Sequence, residues 1–382
     1  MWPSKPLKRS LCTLVYIARI EGLNRYRGFL IGGGLGCLIL SGSVILYEKE
    51  MIGMAGNNSR ALDSAKRNKK DEFYTQYITI EKEISRYVNY DKELFKDKVI
   101  LLPCDSPEWS NFTKYFFDNF NNFGLKKIIS SSYNKDGQGS YFIFDRDNID
   151  SLKWGDFKAL KLKGDGDFAS EEVTSFRDEA DFVITNPPFS RIKHFFPWLV
   201  EKEGLKFSFI APVTCIEYKG IFPSFKDKEH WFGGGKDKLV REPFSVPDTY
   251  ENKQTGGLGG FVTISNGTWL TNIEDGYTPE DLELNTMAHN LEHNNKLKKK
   301  PYAYKKYANS DAIEVPFVNA IPSDYDGLMG VPITFLLKNN YKQFEIVRLK
   351  KGDDNRDVNF GKDENGKKVV PYTRIIIRPI KN

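Results

Sequence analysis

Cysteine is scarce in this sequence, and its few copies stand far apart. The four cysteines are Cys12, Cys37, Cys104 and Cys215, and none belongs to a Cys-x-x-Cys pair. A disulfide framework or a zinc site needs several closely spaced ligands. His289 and His293 are four residues apart, but no glutamate follows His289 and no third ligand is near them in the sequence. We therefore expect no metal site, and a reducing compartment.

A strong excess of one charge is also missing. The chain has 56 Lys and Arg against 51 Asp and Glu, a net charge of +5. The first fifty residues alone hold seven basic and three acidic residues, so the remainder is close to neutral. Net charge thus gives only weak support for binding to nucleic acid. The length of 382 residues and the 40% hydrophobic content predict a large core and two domains.

One stretch near the amino terminus lacks charged residues altogether. Residues 28–47 have about the length that a bilayer-spanning helix needs, with arginines before them and glutamates after them. In that orientation the rest of the chain would leave the cytoplasm. Two interpretations stay open: a membrane anchor, or a dispensable extension before a true start at Met51 or Met54. We favour the second and assign residues 1–53 to an N-terminal extension; the glycines in the run argue against a cleaved signal.

The next part of the chain alternates between helical and strand patterns. Residues 78–94 have helical spacing of apolar side chains, and residues 99–102 form a short apolar run of the kind buried in parallel sheets. Asp105 follows, and Asp105 or Ser106 is the predicted N-cap of a helix with Pro107 in its first turn. This order predicts an α/β domain, in which ligands bind outside the carboxyl ends of the strands.

The α/β pattern continues with a second strand at residues 127–130. Residues 141–144 and 157–162 then resemble a hairpin inserted into the sheet. A helix is expected at residues 173–180, and residues 181–185 form another apolar strand. That strand ends directly at a short motif with two prolines.

The motif is Asn186-Pro187-Pro188-Phe189. Two prolines after a strand cannot continue a ladder or begin a regular helix, so they fix a rigid loop; a purely structural turn is the alternative. Asn186 Oδ1 and the Pro187 carbonyl can accept hydrogen bonds from a planar amino group and draw its nitrogen towards tetrahedral geometry. Phe189 offers a stacking face for a base flipped out of a duplex. These four residues are the predicted catalytic centre for methyl transfer to adenine.

From about residue 70 to its end, the chain resembles the EcoRI-like family of adenine-specific DNA methyltransferases. The resembling segments are residues 71–76, 104–112, 166–168, 186–189, 269–272 and 325–335. The resemblance implies a Rossmann-like class I methyltransferase sheet, S-adenosylmethionine as the cofactor, and duplex DNA as the substrate. It further implies a restriction-modification system, in which a cognate restriction endonuclease acts on the same site, and a cytoplasmic location at the bacterial nucleoid.

By position, the resemblance assigns six residues to the cofactor: Phe73, Tyr74, Thr75, Asp105, Asp167 and Phe168. Asp105 would pair with the cationic amino group of the methionine moiety. Asp167 would accept a hydrogen bond from the adenine of the cofactor, with Phe168 stacked on that ring; Asp165 is a rival for the first role. The sequence departs from the general methyltransferase pattern because no glycine-rich loop follows the first strand. Residues 130–132 are serines where an acid is usual, so ribose recognition stays unassigned.

Residues 54–235 form the predicted catalytic domain and residues 236–382 the target-recognition region. Within the latter, three lysines near tyrosines suit contact with phosphates, although a solvated helix face is the alternative: Lys298, Lys299 and Lys300. The resemblance places Trp269 and Asn272 near the flipped base. Residues 372–378 are the predicted closing strand of this region.

Two other classes of function stay open at this point. Asn-Pro-Pro-aromatic loops serve several planar nitrogens, so an amino-group methyltransferase acting on RNA or protein is one alternative. A non-catalytic nucleic-acid-binding protein with the same fold is the other. A comparison of methyl transfer to duplex DNA and to RNA distinguishes the first alternative from a DNA methyltransferase. Binding of labelled S-adenosylmethionine distinguishes the second.

Overall fold

The computed structural model describes residues 73–338 and 342–380, together with the backbone of four strands near the amino terminus. These are β1 (Val15–Tyr16), β2 (Gly28–Ile31), β3 (Leu35–Leu40) and β4 (Ser43–Glu48). They form one antiparallel sheet in chain order. The chain divides into two compact units, Met1–Asn57 and Asn58–Asn382.

The helix considered for residues 28–47 is therefore wrong, because most of that run pairs as antiparallel strands. Throughout the part of the chain that is described, no helix combines the length and the apolar character that crossing a membrane requires. Met51 and Met54 lie outside the described residues.

Among its described residues, the second unit contains α-helices, 3₁₀-helices, an eight-stranded sheet, a five-stranded sheet and two two-stranded sheets. Its α-helices are α1 (Tyr77–Tyr90), α2 (Asn111–Asp118), α3 (Phe120–Phe123), α4 (Glu171–Glu179), α5 (Ile192–Val200), α6 (Ile221–Lys226), α7 (Met287–His293) and α8 (Asn295–Lys298). The 3₁₀-helices are Ile149–Ser151, Val213–Glu217, Val318–Ala320 and Ile333–Leu337. The strands of the central sheet are β5 (Val99–Leu102), β6 (Lys127–Ser132), β7 (Ser140–Asp145), β8 (Leu160–Lys161), β9 (Phe182–Thr185), β10 (Lys206–Pro212), β11 (Trp231–Phe232) and β16 (Gly267–Thr271).

The central sheet has the strand order β11-β16-β10-β9-β5-β6-β7-β8. The four inner strands of the sheet are parallel to one another: β10, β9, β5 and β6. Each strand outside these four pairs antiparallel with its inner neighbour. β5 pairs with β6 on one side and with the later strand β9 on the other, so the strand order reverses there. A crevice for a ligand is expected outside the carboxyl ends of strands at such a switch point. The α/β prediction is confirmed.

Helices cover both faces of this sheet, which explains why β5 and β9 are continuous apolar runs buried along their whole length. Neighbouring residues of a strand point to opposite faces. Ser208 of β10 is hydrogen-bonded to Tyr87 of α1, with 3.0 Å between the two oxygens. The next residue, Phe209, packs against Phe195 of α5 at a ring distance of 5.4 Å.

The helix after β5 begins later than predicted. Ser110 is its N-cap, and the Ser110 hydroxyl accepts from the Phe112 N–H at 3.1 Å. Residues 106–109 form a turn instead, closed by a hydrogen bond from the Ser110 N–H to the Ser106 carbonyl. The prediction of Asp105 or Ser106 as the N-cap is therefore wrong, and the Asp105 carboxylate serves another purpose.

The predicted hairpin exists as the antiparallel pair β7–β8, and it extends the central sheet beyond β6. The predicted domain boundary at residue 235 stays a prediction; in the structure, β16 follows this position in the chain and pairs with β10 of the central sheet. The remaining strands are β12 (Phe244–Ser245), β13 (Glu251–Asn252), β14 (Gly257–Leu258), β15 (Phe261–Val262), β17 (Lys306–Tyr307), β18 (Ser310–Glu314), β19 (Met329–Pro332), β20 (Phe344–Leu349) and β21 (Arg374–Pro379). Strands β17 to β21 form a five-stranded sheet in which β21, the predicted tail strand, lies between β19 and β20.

Candidate active site

Asn186 stands at the carboxyl end of β9, and its side-chain amide is held from one side. Asn186 Nδ2 donates to the carbonyl oxygen of Phe73 and to Thr75 Oγ1, the latter at 3.2 Å. A backbone carbonyl can only accept, so the amide nitrogen must face Phe73 and the amide oxygen must face away. Asn186 Oδ1 is buried and has no hydrogen-bond partner among the described residues. A buried unpaired oxygen costs about 1–3 kcal/mol, so the fold maintains an acceptor that is ready for an external donor.

The loop that follows Asn186 is short and stiff. Pro187 and Pro188 fix the backbone, and the N–H of Arg191 donates to the Pro188 carbonyl at 2.8 Å. Helix α5 then starts at Ile192. The rigid loop predicted from the two prolines thus lies between β9 and α5, at the carboxyl edge of the parallel strands.

Phe189 is fully buried in this structure. Its ring lies 5.5 Å from the ring of Phe73, and Phe73 packs in turn against Phe244 and Tyr250 at 6.2 Å. A stacking role for Phe189 stays a prediction, and it requires the covering side chains to move when a base enters.

Asp105 lies just beyond the carboxyl end of β5, next to β9. Its Oδ1 accepts from Ser110 Oγ and its Oδ2 accepts from Thr185 Oγ1, each at 2.6 Å. The residue is only 6% exposed, and burial raises the pKa of its carboxyl group to about 6, against the lowering effect of the two hydrogen bonds. A carboxylate has about four lone-pair positions, so two stay available for a further donor.

Asp167 and Phe168 lie beside Arg191, a residue that the sequence did not single out. Asp167 Oδ2 pairs with Arg191 Nη2 at 2.6 Å, and the Arg191 guanidinium lies 5.2 Å from the centre of the Phe168 ring. Phe168 is buried against Phe195 at a ring distance of 5.0 Å. The rival Asp165 accepts from the Asp167 N–H at 3.0 Å, just as Asp167 accepts from the Ala169 N–H at 3.0 Å, so the choice between the two acids stays a prediction. In the sequence, only the position of Arg191, two residues after Phe189, could have suggested that its side chain lies near the site.

The segment from Phe73 to Thr75 connects the catalytic loop to two other elements. Tyr74 exchanges backbone hydrogen bonds with Ser245 of β12, at 2.8 and 3.0 Å. The Thr75 carbonyl accepts from Asn111 Nδ2 at 2.8 Å. The family resemblance implies cofactor contact for this segment, and neither the resemblance nor the sequence indicated its hydrogen bonds to Asn186.

Trp269 and Asn272 are placed where they support the sheet. Trp269 is buried on β16, with its ring 6.1 Å from that of Phe112. Asn272 Nδ2 donates to the Leu205 carbonyl at 2.9 Å, and Asn272 Oδ1 accepts from the Phe207 N–H at 2.7 Å. These contacts hold the start of β10, at the edge of the sheet opposite to the catalytic loop. Trp269 itself pairs with Ile210, level with the carboxyl end of β9, so only Asn272 lies towards the opposite edge. A place near the flipped base stays a prediction for both residues.

The three lysines predicted to contact phosphate are exposed at the end of α8 and just after it: Lys298, Lys299 and Lys300. The Lys300 ammonium lies 5.7 Å from the centre of the Phe317 ring. Their exposure is compatible with phosphate contact and with a solvated face, so this role stays a prediction.

Comparisons with known proteins agree on one family. The family model described as adenine-specific methyltransferase EcoRI matches residues 61–379. The type II methyltransferase M.EcoRI of Escherichia coli is 39% identical over 341 residues, covering 85% of this chain and 98% of the relative. M.MgeORF184P of Mycoplasma genitalium is 36% identical, covering 74% and 84% respectively, and M.MpnI of Mycoplasma pneumoniae is 33% identical, covering 74% and 83%. No solved structure matches the chain. The resemblance is confirmed, and the chain belongs to the EcoRI family of adenine-specific methyltransferases.

Proposed function

We propose that this enzyme transfers a methyl group from S-adenosylmethionine to the exocyclic amino nitrogen of adenine in duplex DNA, at a short specific site. Asn186 Oδ1 is the observation that carries the proposal: a buried acceptor without a partner among the described side chains, directly after Thr185, whose hydroxyl donates to Asp105. The three relatives, named as type II methyltransferases, support DNA as the substrate and a restriction-modification system as the context.

The target nitrogen needs help because its lone pair is delocalised into the purine ring. Asn186 Oδ1 and the Pro187 carbonyl accept hydrogen bonds from its two N–H groups and favour a tetrahedral nitrogen. Asn186 Oδ1 and the Pro187 carbonyl would hold this nitrogen in line with the methyl group of bound S-adenosylmethionine. The sulfur would leave as a neutral thioether, and the surplus proton on the nitrogen would pass to water. A strong base is unnecessary, because the proton becomes acidic once the nitrogen is alkylated. Proximity and orientation supply several kcal/mol of the rate increase, on the order of the effective molarities seen in intramolecular reactions.

The family implies a methyl donor, and the residues at the switch point fit S-adenosylmethionine. Asp105 offers free lone pairs for the ammonium of the methionine moiety, and its burial makes that charge pairing strong. Asp167 offers an acceptor for the purine amino group, beside the apolar face of Phe168. The Thr75 hydroxyl accepts a hydrogen bond from the Asn186 amide, so Thr75 also orients the proposed catalytic group. When bound, the cofactor supplies an electrophilic sulfonium methyl group.

A base inside a duplex cannot reach an acceptor at this depth, so the adenine must be flipped out of the stack. Phe189 is the proposed stacking face, once the ring of Phe73 has moved aside. The exposed lysines 298–300 are the proposed phosphate contacts. Trp269 stays a proposed neighbour of the flipped base, because it packs on Phe112 of α2 and lies level with the carboxyl end of β9. The side-chain amide of Asn272 is bonded at the start of β10, so this residue is the weaker candidate for the same role.

The direct experiment supplies labelled S-adenosylmethionine with duplex DNA, with RNA of the same sequence, and with protein. We expect label on the exocyclic nitrogen of adenine in DNA. Asn186→Ala should lower kcat by about 10²–10³-fold, as loss of a preorganised electrostatic contact does, and leave cofactor binding unchanged. Label in RNA or protein but not in DNA would favour the amino-group methyltransferase alternative, and equal loss of binding and turnover would reject the role of Asn186.

A cognate restriction endonuclease acting on the same site is the proposed partner, and the nucleoid is the proposed location. Sequencing that detects modified bases in DNA from cells producing the protein would give the recognition site. Purified endonucleases of that specificity should then fail to cut the modified DNA. Cutting at fully methylated sites would contradict the protective role.

A further inference from the structure

Arg191 makes the two contacts that the purine ring of the cofactor needs. Its Nη2 lies 2.6 Å from Asp167 Oδ2, and its guanidinium carbon lies 5.2 Å from the centre of the Phe168 ring. A guanidinium group is planar and carries N–H donors along its edge. A purine offers the same combination, with a flat face and an exocyclic amino group. A side chain of the protein itself thus takes the place expected for a planar N–H donor.

The ring of Phe168 can accept a stacked purine only if one of its neighbours moves. Phe168 is 4% exposed, and the rings of Phe195 and Trp198 lie 5.0 and 5.4 Å from it. Those two side chains are buried in the core, whereas the Arg191 side chain is 44% exposed. Of the three neighbours, Arg191 is therefore the one that can leave the ring without opening the core.

The two oxygens of Asp167 have different partners. Oδ1 accepts from the Ala169 N–H at 3.0 Å, within the turn that precedes α4. Oδ2 faces outward to the Arg191 guanidinium. Both side chains of this ion pair are partly in contact with water, and ion pairs of that kind are weak. Another N–H donor can therefore replace Arg191 on Oδ2 at little cost in stability.

Asp167 and Asp105 both lie at the carboxyl end of β6. The Asp105 N–H donates to the Ser131 carbonyl at 2.9 Å. Gly166, directly before Asp167, packs so closely on Ser132 that a methyl group added to this glycine would collide with the Ser132 carbonyl oxygen. One ligand can therefore extend from Asp105 past the end of β6 to Asp167, which places the ion pair of Asp167 on the path of the cofactor.

We propose that the Arg191 guanidinium competes with the purine ring of S-adenosylmethionine for Asp167 and Phe168, so that this residue lowers the affinity of the enzyme for its own cofactor. The proposal rests on the proposed function. The apparent Kd of a ligand equals its intrinsic Kd divided by the fraction of molecules whose site is open. Arg191 also donates its backbone N–H to the Pro188 carbonyl, so it connects the purine position to the loop that follows Asn186.

The test measures binding of adenosine, an uncharged ligand that carries the purine alone, beside binding of S-adenosylmethionine. Arg191→Met keeps an unbranched apolar stem and removes the guanidinium. We expect it to lower both Kd values by about threefold to tenfold, as loss of a weak ion pair and a cation–π contact from a closed site would do. A similar factor for the neutral and the cationic ligand distinguishes competition from a general change of charge. Isothermal calorimetry provides both values.

The wild type offers a second measurement that needs no change in the site. Salt screens partly exposed charges, so raising NaCl from about 0.05 to 0.5 M should weaken the pair between Arg191 and Asp167. The affinity of the wild type for adenosine should then rise by about twofold or more, because the open fraction increases. The affinity of Arg191→Met should not change with salt. A wild type as indifferent to salt as the variant would overturn the competition.

Lys193→Met is the matched control, because it removes another exposed cation two residues further along, in α5. Its Kd for adenosine should equal that of the wild type at both salt concentrations. An unchanged Kd for adenosine in Arg191→Met would overturn the proposal, and a higher Kd would do so too, by making Arg191 a support for the ligand. If the wild type binds neither ligand and methylates no DNA, the proposed function itself fails. If it methylates DNA and only the gain in affinity is missing, the competition alone fails.

Discussion

The hydroxyl of Thr75 accepts a hydrogen bond from the side-chain amide of Asn186, at 3.2 Å, although 111 residues separate the two in the chain. The same amide also donates to the backbone of Phe73. The segment in front of the sheet thus sets the orientation of the Asn186 amide, the proposed catalytic group. Orientation matters here because only the amide oxygen can accept from an amino group.

Thr75→Val keeps the shape of this buried side chain and removes its acceptor. We expect kcat to fall by about fivefold to tenfold, in line with about 1 kcal/mol for one lost hydrogen bond. The Kd for S-adenosylmethionine should not change, and Thr75→Ser should recover the wild-type kcat. Single-turnover kinetics and equilibrium binding provide the two measurements. A Kd that rises with unchanged kcat would instead make Thr75 a direct cofactor ligand, as the family resemblance alone implies.

The sequence was sufficient to predict the parts of the site that depend on local order. Continuous apolar runs identified β5 and β9. The residues that follow these strands, Asp105 and Asn186, lie at one edge of the sheet as expected, because the carboxyl ends of parallel strands meet there. Their roles stay predictions. The two prolines predicted the stiff loop between β9 and α5.

One local feature was also mistaken: the turn at residues 106–109 delays the helix start to Asn111, and its sequence signals resemble those of an N-cap.

Contacts between distant segments could not be predicted from the sequence. Asn272 followed a motif-like tryptophan, yet its amide bonds the start of β10, a pairing that only the sheet register reveals. Residues 28–47 matched a membrane helix in length and apolar content, but length alone does not distinguish a helix from short paired strands.

Cofactor affinity should depend on pH through Asp105. Burial raises the pKa of this carboxyl group to about 6 in the free protein, so it is mostly ionised at pH 7 and becomes neutral below pH 6. Pairing with the ammonium of S-adenosylmethionine needs the ionised form. The Kd should therefore rise as the pH falls through 6, by up to about tenfold for each further pH unit. Isothermal calorimetry between pH 5 and 8 measures this, and Asp105→Asn should bind weakly at every pH, without the slope.

The same carboxylate should make the free protein less stable at neutral pH. Its pKa is higher in the native state than the ordinary 3.8, so the native state binds the proton more tightly than the unfolded chain does. The contribution of this group to the free energy of unfolding is therefore largest below pH 4. It declines as the pH rises from about 4 through 6. The difference between the two pKa values corresponds to about 3 kcal/mol at most.

Asp105→Asn removes the charge and can still hydrogen-bond to the hydroxyls of Ser110 and Thr185. We expect its free energy of unfolding to exceed that of the wild type by about 1–3 kcal/mol at pH 7, and to show little gain near pH 4. Urea unfolding at the two pH values tests this prediction. A variant that is less stable at pH 7 would show that the ionised group contributes more through its hydrogen bonds than its burial costs.

Phe189→Leu separates packing from stacking at the catalytic loop. The ring of Phe189 is fully buried against Phe73, so alanine at this position would leave a cavity and cost about 3–5 kcal/mol, which would obscure any effect on catalysis.

Leucine at position 189 fills most of the space but has no aromatic face. If the ring stacks on the flipped adenine, the variant should fold with a loss of less than about 1.5 kcal/mol, as volume-conserving exchanges do. Its KM for duplex DNA should rise by about fivefold or more, since base–aromatic stacking is worth about 1–3 kcal/mol. Fluorescence of 2-aminopurine at the target position would report base flipping directly, and unchanged flipping with unchanged KM would assign Phe189 to the core alone.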